Sequence, residues 1–146
     1  MPNIPFSATS LLACTVAGFF LSYLWYTPLF GKAWAKEMGF DPSEQPPTPK
    51  LIKSLLLTAL SVLLISLVLA NNMAVWTPST WGIAGQDLPL YAQALQAGIF
   101  TWLGFFLPPL FQAVAWQKHS WKLFAINAGY YLTLLLVLSF ITMYLR

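Results

Sequence analysis

The chain has 146 residues, of which 58% are hydrophobic and 8% are charged, whereas a soluble domain carries about 25% charged residues. This composition excludes a water-soluble globule, because too few polar side chains are present to cover its surface. The net charge of +3 comes from scattered residues that form no basic stripe, so we expect no nucleic-acid partner. The single cysteine, Cys14, excludes an internal disulfide.

Four apolar segments are long enough to cross a bilayer, which takes about 20 residues. In chain order they comprise residues 6–27, 55–73, 90–117 and 121–145. The third segment contains Pro108 and Pro109, which remove two backbone donors and predict a kink. The sequence therefore predicts an all-α fold: a single domain made of a four-transmembrane-helix bundle.

The connection between the first two spans contains two distinct parts. Residues 31–40 carry aromatic and basic side chains, a composition typical of a short interfacial helix; a cytoplasmic extension of the first span is the alternative. Residues 41–49 (DPSEQPPTP) form a polar, proline-rich connector.

The basic residues predict the orientation of the chain. Six of the seven lie in the first and third loops, at Lys32, Lys36, Lys50, Lys53, Lys118 and Lys122, and only Arg146 lies on the other side. The positive-inside rule places loops 28–54 and 117–121 in the cytoplasm and both termini outside. We therefore expect a multi-pass membrane protein with both termini on the outer side.

The first and third spans resemble each other, which favours an internal duplication of a helical hairpin. The matching residues are 17–20 with 97–100, 28–30 with 109–111, and 34–36 with 116–118. Two such hairpins would form a parallel repeat, in which the first and third helices run in the same direction. Coincidence within a small apolar alphabet is the alternative interpretation.

Small residues recur every fourth position along one face of the first helix, at Ser10, Cys14, Gly18 and Ser22. Small faces let two helix backbones approach closely in a membrane. This face predicts helix packing, either within one bundle or between subunits.

Polar and ionisable side chains are nearly absent from the spans, and this absence disfavours several functions. All four acids fall in expected loops, at Glu37, Asp41, Glu44 and Asp87, so no proton relay is expected. The single His119 cannot build a zinc or bis-histidine haem site. We expect no catalytic, cofactor-binding or metal-binding residues. The amides within the spans, which predict interhelical contacts or a pore lining, are Gln93, Gln96, Gln112 and Asn127.

Two motifs resemble the signature of the domain-of-unknown-function 1761 family of small bacterial membrane proteins. They are LWYTPLFGKAW at residues 24–34 and WKLFAINAGYY at residues 121–131. The resemblance implies a four-helix membrane domain and nothing firm about activity. The motif residues that we take as candidate ligand or lipid contacts are Trp25, Tyr26, Pro28, Gly31, Lys32, Trp34, Asn127, Gly129 and Tyr130.

These motif residues have two interpretations. In one, the aromatic residues anchor at the headgroups, Pro28 and Gly31 turn the chain, and Lys32 contacts lipid phosphate. In the other, Lys32, Tyr26 and Asn127 form a site for an anionic ligand.

The sequence as a whole favours a non-enzymatic membrane protein that contacts lipid and acts as a homo-oligomer or as an accessory subunit of a larger complex. A small channel or carrier for a neutral or weakly polar solute, formed on oligomerisation, is the alternative. A membrane enzyme acting on lipid is a third class, with less to support it.

The orientation can be tested by cysteine labelling in a chain that carries Cys14→Ser. A membrane-impermeant maleimide is expected to label a Gln86→Cys variant on intact cells, because its loop holds no basic residue and is assigned outside. A Lys50→Cys variant should react only after the membrane is opened. The reverse pattern would contradict the assigned topology.

Overall fold

The structure, a computed structural model, describes residues 7–41 and 43–145 and forms five helices over them. They are α1 (Ala8–Leu29), α2 (Gly31–Met38), α3 (Thr48–Trp76), α4 (Leu90–Trp116) and α5 (Trp121–Tyr144). A 3₁₀ helix, Pro78–Trp81, follows α3, and no β-strand occurs in the described residues. Helices α1, α3, α4 and α5 are long and apolar enough to cross a membrane, which confirms the predicted all-α, four-span fold class.

Three residues used in the sequence predictions lie outside the described residues. They are Phe6, the predicted first residue of the first span, Pro42, part of the proline-rich connector, and Arg146, the basic residue assigned to the outer side. Helices α1, α4 and α5 begin and end within two residues of the bounds predicted for their spans, whereas α3 does not.

Helix α3 is longer than its predicted span, since it begins at Thr48 rather than Leu55 and ends at Trp76 rather than Met73. The prediction followed the apolar run and stopped near the lysines and asparagines at its two ends. Helical hydrogen bonding continues past an apolar run when the flanking residues permit it. Pro49 permits it here, because a proline in the first turn lacks only a donor that would be unpaired anyway.

The amphipathic segment after the first span forms a separate helix, α2. Phe30, which lies between α1 and α2, has a non-helical conformation with φ −119° and ψ 5°. Helix α2 is therefore not an unbroken extension of the first span. The helix ends at Gly39, whose φ of 74° is left-handed and favours glycine. Glu37 lies on this helix, within the connection between the first two spans.

Helices α1 and α4 each contain a π-helical segment next to proline. The segments are Trp25–Leu29, which includes Pro28, and Trp102–Phe106, which precedes Pro108. In each, the first tryptophan carbonyl accepts a hydrogen bond from the N–H five residues later. A proline ring clashes with the carbonyl four residues before it, and the wider turn makes room for that ring. The predicted irregularity in the third span thus takes the form of a π turn.

Helix α5 lies at the centre of the bundle and contacts every other helix. Ten of its 24 residues are buried, against five of the 29 in α3. Helices α1 and α4 pack on it from two sides, whereas α3 packs chiefly on α1. The two hairpins are therefore packed unequally, and their duplication stays a prediction.

The small-residue face of α1 lies inside the bundle, where Ser10, Cys14 and Gly18 are buried. A Cβ added to Gly18 would lie 2.5 Å from Val62 Cγ1 and 3.1 Å from Leu134 Cδ1. Three helices therefore meet at this glycine, because α3 supplies the valine and α5 supplies the leucine.

Replacing Gly18 by alanine is expected to destabilise the fold by about 1–3 kcal/mol, because stiff, β-branched Val62 cannot move away without disturbing α3. The measurement is the free energy of unfolding by steric trapping in micelles. Gly104→Ala is the control, since a Cβ there meets no atom within 4 Å. Equal stabilities of the two variants would contradict this account of the packing.

Candidate functional site

The first candidate site is a cluster of aromatic rings and one amide where α1 and α2 meet α5. We call it the aromatic junction and define it as Trp25, Tyr26, Trp34, Asn127 and Tyr130. The Tyr26 hydroxyl donates to Asn127 Oδ1 at 2.8 Å. The Tyr26 ring lies 4.9 Å from that of Tyr130 and 5.5 Å from that of Trp34, centroid to centroid. The two sequence motifs thus come together in space.

Two tryptophans attach neighbouring helices to the backbone of α5. Trp25 Nε1 donates to the Ile126 carbonyl at 3.0 Å, and Trp102 Nε1 donates to the Ala128 carbonyl at 2.9 Å. A carbonyl oxygen has two lone pairs and can accept this bond beside a helical one. Trp25 and Trp102 are each the first residue of a π segment. The wide turns of α1 and α4 therefore both place an indole against α5.

Gly129 leaves room for the Trp25 ring, because a Cβ on Gly129 would lie 3.2 Å from Trp25 Cζ2. Gly31 serves a similar purpose, since its Cβ would lie 2.7 Å from the Tyr26 carbonyl oxygen. Both motif glycines therefore permit close approach of the groups around the junction. Pro28 lies exposed in the π segment.

The Tyr130 hydroxyl extends the junction to the small-residue face of α1. It is hydrogen-bonded to the hydroxyl of Ser22, which itself donates to the Gly18 carbonyl at 2.8 Å. Because a serine hydroxyl has one hydrogen, Tyr130 is the donor in the pair. The Tyr130 hydroxyl is therefore joined through Ser22 to the backbone of α1.

Lys32 does not belong to the junction. It is exposed, and it makes no hydrogen bond or ion pair with the residues that the structure describes. The site of Lys32, Tyr26 and Asn127 for an anionic ligand therefore stays a prediction. Trp25 and Tyr26 are half-buried, and their position at the headgroup level stays a prediction as well.

Sequence reasoning missed the connection that holds α2 to the bundle. The Ser120 hydroxyl donates to Glu37 Oε2, and Lys122 Nζ lies 4.0 Å from Glu37 Oε1. Lys122 is 60% exposed, so its attraction to Glu37 is largely screened and contributes little. Two sequence features could have suggested this contact. Glu37 is the single acid on the amphipathic helix α2, and Ser120 precedes α5 as its N-cap.

The titratable side chains of the junction are the phenols of Tyr26 and Tyr130. No cluster of three histidine, cysteine, aspartate or glutamate side chains occurs in the described part of the chain. The groups paired with Glu37 are Ser120 and Lys122 rather than His119. The arrangement can position helices and anchor α2.

The second candidate site is a cavity of about 520 Å³ at the opposite end of the bundle, between α3, α4 and the 77–89 loop. Gln93 and Gln96 line it. The Gln93 amide fixes the loop, since it donates to the Leu88 carbonyl at 2.6 Å and accepts from the Thr77 hydroxyl at 2.9 Å. Gln112 lies exposed on α4. The four span amides therefore do not line a single lumen within one chain, because Asn127 lies in the aromatic junction.

Comparison with known families gives one match. The family described as "Protein of unknown function (DUF1761)" matches residues 9–143, nearly the whole chain. The chain belongs to this family. No curated protein and no solved structure matches it. Both motifs of the family resemblance therefore lie within the matched range, and the family assigns them no activity.

The contribution of the junction can be measured with a double-mutant cycle of Tyr26→Phe and Asn127→Leu. The coupling energy is expected to be about 0.6–1.7 kcal/mol, the range found for hydrogen bonds between membrane helices. The observable is again the free energy of unfolding. A cycle of Tyr23→Phe with Asn127→Leu is the control, because Tyr23 is 57% exposed. Equal coupling in both cycles would show that the Tyr26 bond has no role.

Proposed function

We propose that this member of the family is a non-enzymatic subunit of a membrane assembly, built from copies of itself or with other membrane proteins. The feature that carries the proposal is the backbone carbonyl of Gly104, midway along α4, for which the helix offers no N–H donor. In a helix its donor would be the N–H of residue 108 or 109, and both are prolines. The Leu107 N–H donates to Trp102 instead.

An unpaired carbonyl in hydrocarbon costs several kcal/mol, so a donor from a second chain would stabilise it. Gly104 is exposed, and a Cβ there would meet no atom within 4 Å, so a neighbouring backbone has room to approach. Pro108 and Gln112, four and eight residues further on, are exposed as well. Residues spaced by four share one helix face. We call Gly104, Pro108 and Gln112 the α4 contact face.

Gln112 supports the same proposal. Its amide has no hydrogen-bond partner within residues 7–41 and 43–145. Such an amide can donate to a carbonyl of a second helix, and hydrogen bonds from amide side chains between helices stabilise membrane assemblies.

The proposed location is a bacterial inner membrane with both termini outside.

The test is the subunit count by native mass spectrometry in mild detergent, for the wild-type chain and for Gly104→Leu. The variant is expected to raise the dissociation constant by at least about tenfold, because the added side chain blocks backbone approach. Its unfolding free energy should stay near that of the wild type, since no atom of the same chain surrounds residue 104. Leu103→Phe, at an exposed neighbouring position, is the control.

A wild-type chain that stays monomeric at every protein-to-detergent ratio and retains no partner would contradict the proposal. Unchanged assembly of Gly104→Leu would contradict the assignment of the α4 contact face.

The second candidate function is a small channel or carrier for a neutral or weakly polar solute. The cavity lined by Gln93 and Gln96 favours it. If it is correct, proteoliposomes should take up glycerol faster than empty liposomes in a light-scattering assay, and Gln96→Leu should lower that rate. Equal rates with and without protein would contradict this second function.

A further inference from the structure

The cavity beside the 77–89 loop is large enough for a ligand, since its 520 Å³ falls within the usual range of about 300–1,000 Å³ for small-molecule sites. We infer that it binds an uncharged amphiphile with a hydroxyl- or carbonyl-bearing head and a single apolar tail. The inference concerns one chain and does not depend on assembly.

The lining changes from polar to apolar along the bundle axis. Amides lie close to the loop, at Asn72, Gln86 and Gln96, whereas Phe100 and Phe105 lie further down α4. Phe105 lies nine residues beyond Gln96, which corresponds to about 14 Å along the helix. This gradient matches a molecule whose polar head lies at the membrane surface and whose tail extends towards the bilayer midplane.

Three amides at the polar end are available to a ligand. Asn72, Gln86 and Gln96 are exposed and have no hydrogen-bond partner in the part of the chain that the structure describes. Gln93, by contrast, is occupied by Thr77 and Leu88. Each free amide can both donate and accept, which suits hydroxyl and carbonyl groups.

The charges around the cavity favour a neutral head. Every described residue of the lining is uncharged. Asp87, next to the lining residues Gln86 and Leu88 in the sequence, accepts a hydrogen bond from the Ser79 backbone N–H at 2.9 Å. An anionic phospholipid head would therefore meet no cation among the described lining residues to offset the cost of removing its charge from water.

The cavity faces the bilayer rather than a closed interior. Its wall includes Trp76, Phe100 and Phe105, which are 83%, 66% and 72% exposed. A ligand can therefore enter sideways from the leaflet at this end of the bundle. This access favours a membrane-dissolved amphiphile over a purely water-soluble solute.

The test uses 1-monooleoylglycerol as the probe, added to the full chain in mild detergent and detected by native mass spectrometry. We expect one molecule bound per chain and about tenfold weaker binding by both Asn72→Leu and Gln96→Leu, because each removes hydrogen bonds to the head. Asn71→Leu is the matched control, since Asn71 is exposed beside Asn72 but does not line the cavity. Oleoyl lysophosphatidylglycerol, with the same tail and a charged head, should bind at least tenfold more weakly.

A second measurement locates the probe. A dibrominated monoacylglycerol should quench tryptophan fluorescence, and Trp76→Phe should remove part of that quenching, whereas Trp116→Phe, equally exposed at the other end, should not. Equal binding of the two lipids, equal effects of the asparagine variants, or quenching insensitive to Trp76 would overturn the inference. The Gly104→Leu variant distinguishes this site from the proposed assembly. It should still bind 1-monooleoylglycerol even if its chains no longer associate.

Discussion

Close approach of helix backbones around α5 is the constraint on which the rest of the structure depends. Lipid tails are as apolar as leucine, so burial of apolar surface does not draw helices together in a membrane, and packing and hydrogen bonds must do so. Gly18 and Gly98 let α1 and α4 come within contact of α5. The indoles of Trp25 and Trp102 then attach those two helices to α5 backbone carbonyls. Cavity, junction and exposed faces all follow from this central helix.

Much of the fold could be predicted from the sequence because it depends on composition. Runs of apolar residues fix the number of membrane crossings, and prolines fix where a helix must deviate. The π turns could not be predicted, since a sequence shows that Pro108 lacks a donor but not which wider hydrogen-bond register will replace the lost one. The ends of α3 were also missed, because an apolar run reports the hydrocarbon crossing rather than the extent of the helix.

The site was predictable in part for a similar reason. The resemblance of the two motifs to the family signature singled out Tyr26 and Asn127, and the structure pairs them. Lys32 belongs to the same motif, but the direction of a side chain on a short helix depends on how that helix packs, which the sequence does not record. The link from Glu37 to Ser120 joins residues 83 positions apart, and no local pattern records a contact of that kind.

The two ends of the bundle differ in how their polar groups are satisfied. At the aromatic junction the hydroxyls of Tyr26 and Tyr130 and the indole of Trp25 are hydrogen-bonded to groups of the same chain, which rigidifies the helices there. At the other end, exposed amides around the cavity keep their hydrogen-bonding capacity. Unpaired polar groups are costly in lipid, so their retention at one end of a chain this apolar gives that end a chemical character distinct from the rest of the surface.

The partly covered helix α3 has a further consequence for how the protein sits in a bilayer. Between Lys53 and Asn71 lie 17 residues without a charge, about 26 Å of helix. That length is slightly shorter than the roughly 30 Å of hydrocarbon in a typical membrane. Displacement of α3 along the membrane normal in either direction would bring a lysine or an asparagine into the hydrocarbon core. The helix therefore fixes the depth of the protein in the bilayer, and a membrane thicker than this span would have to thin locally around it.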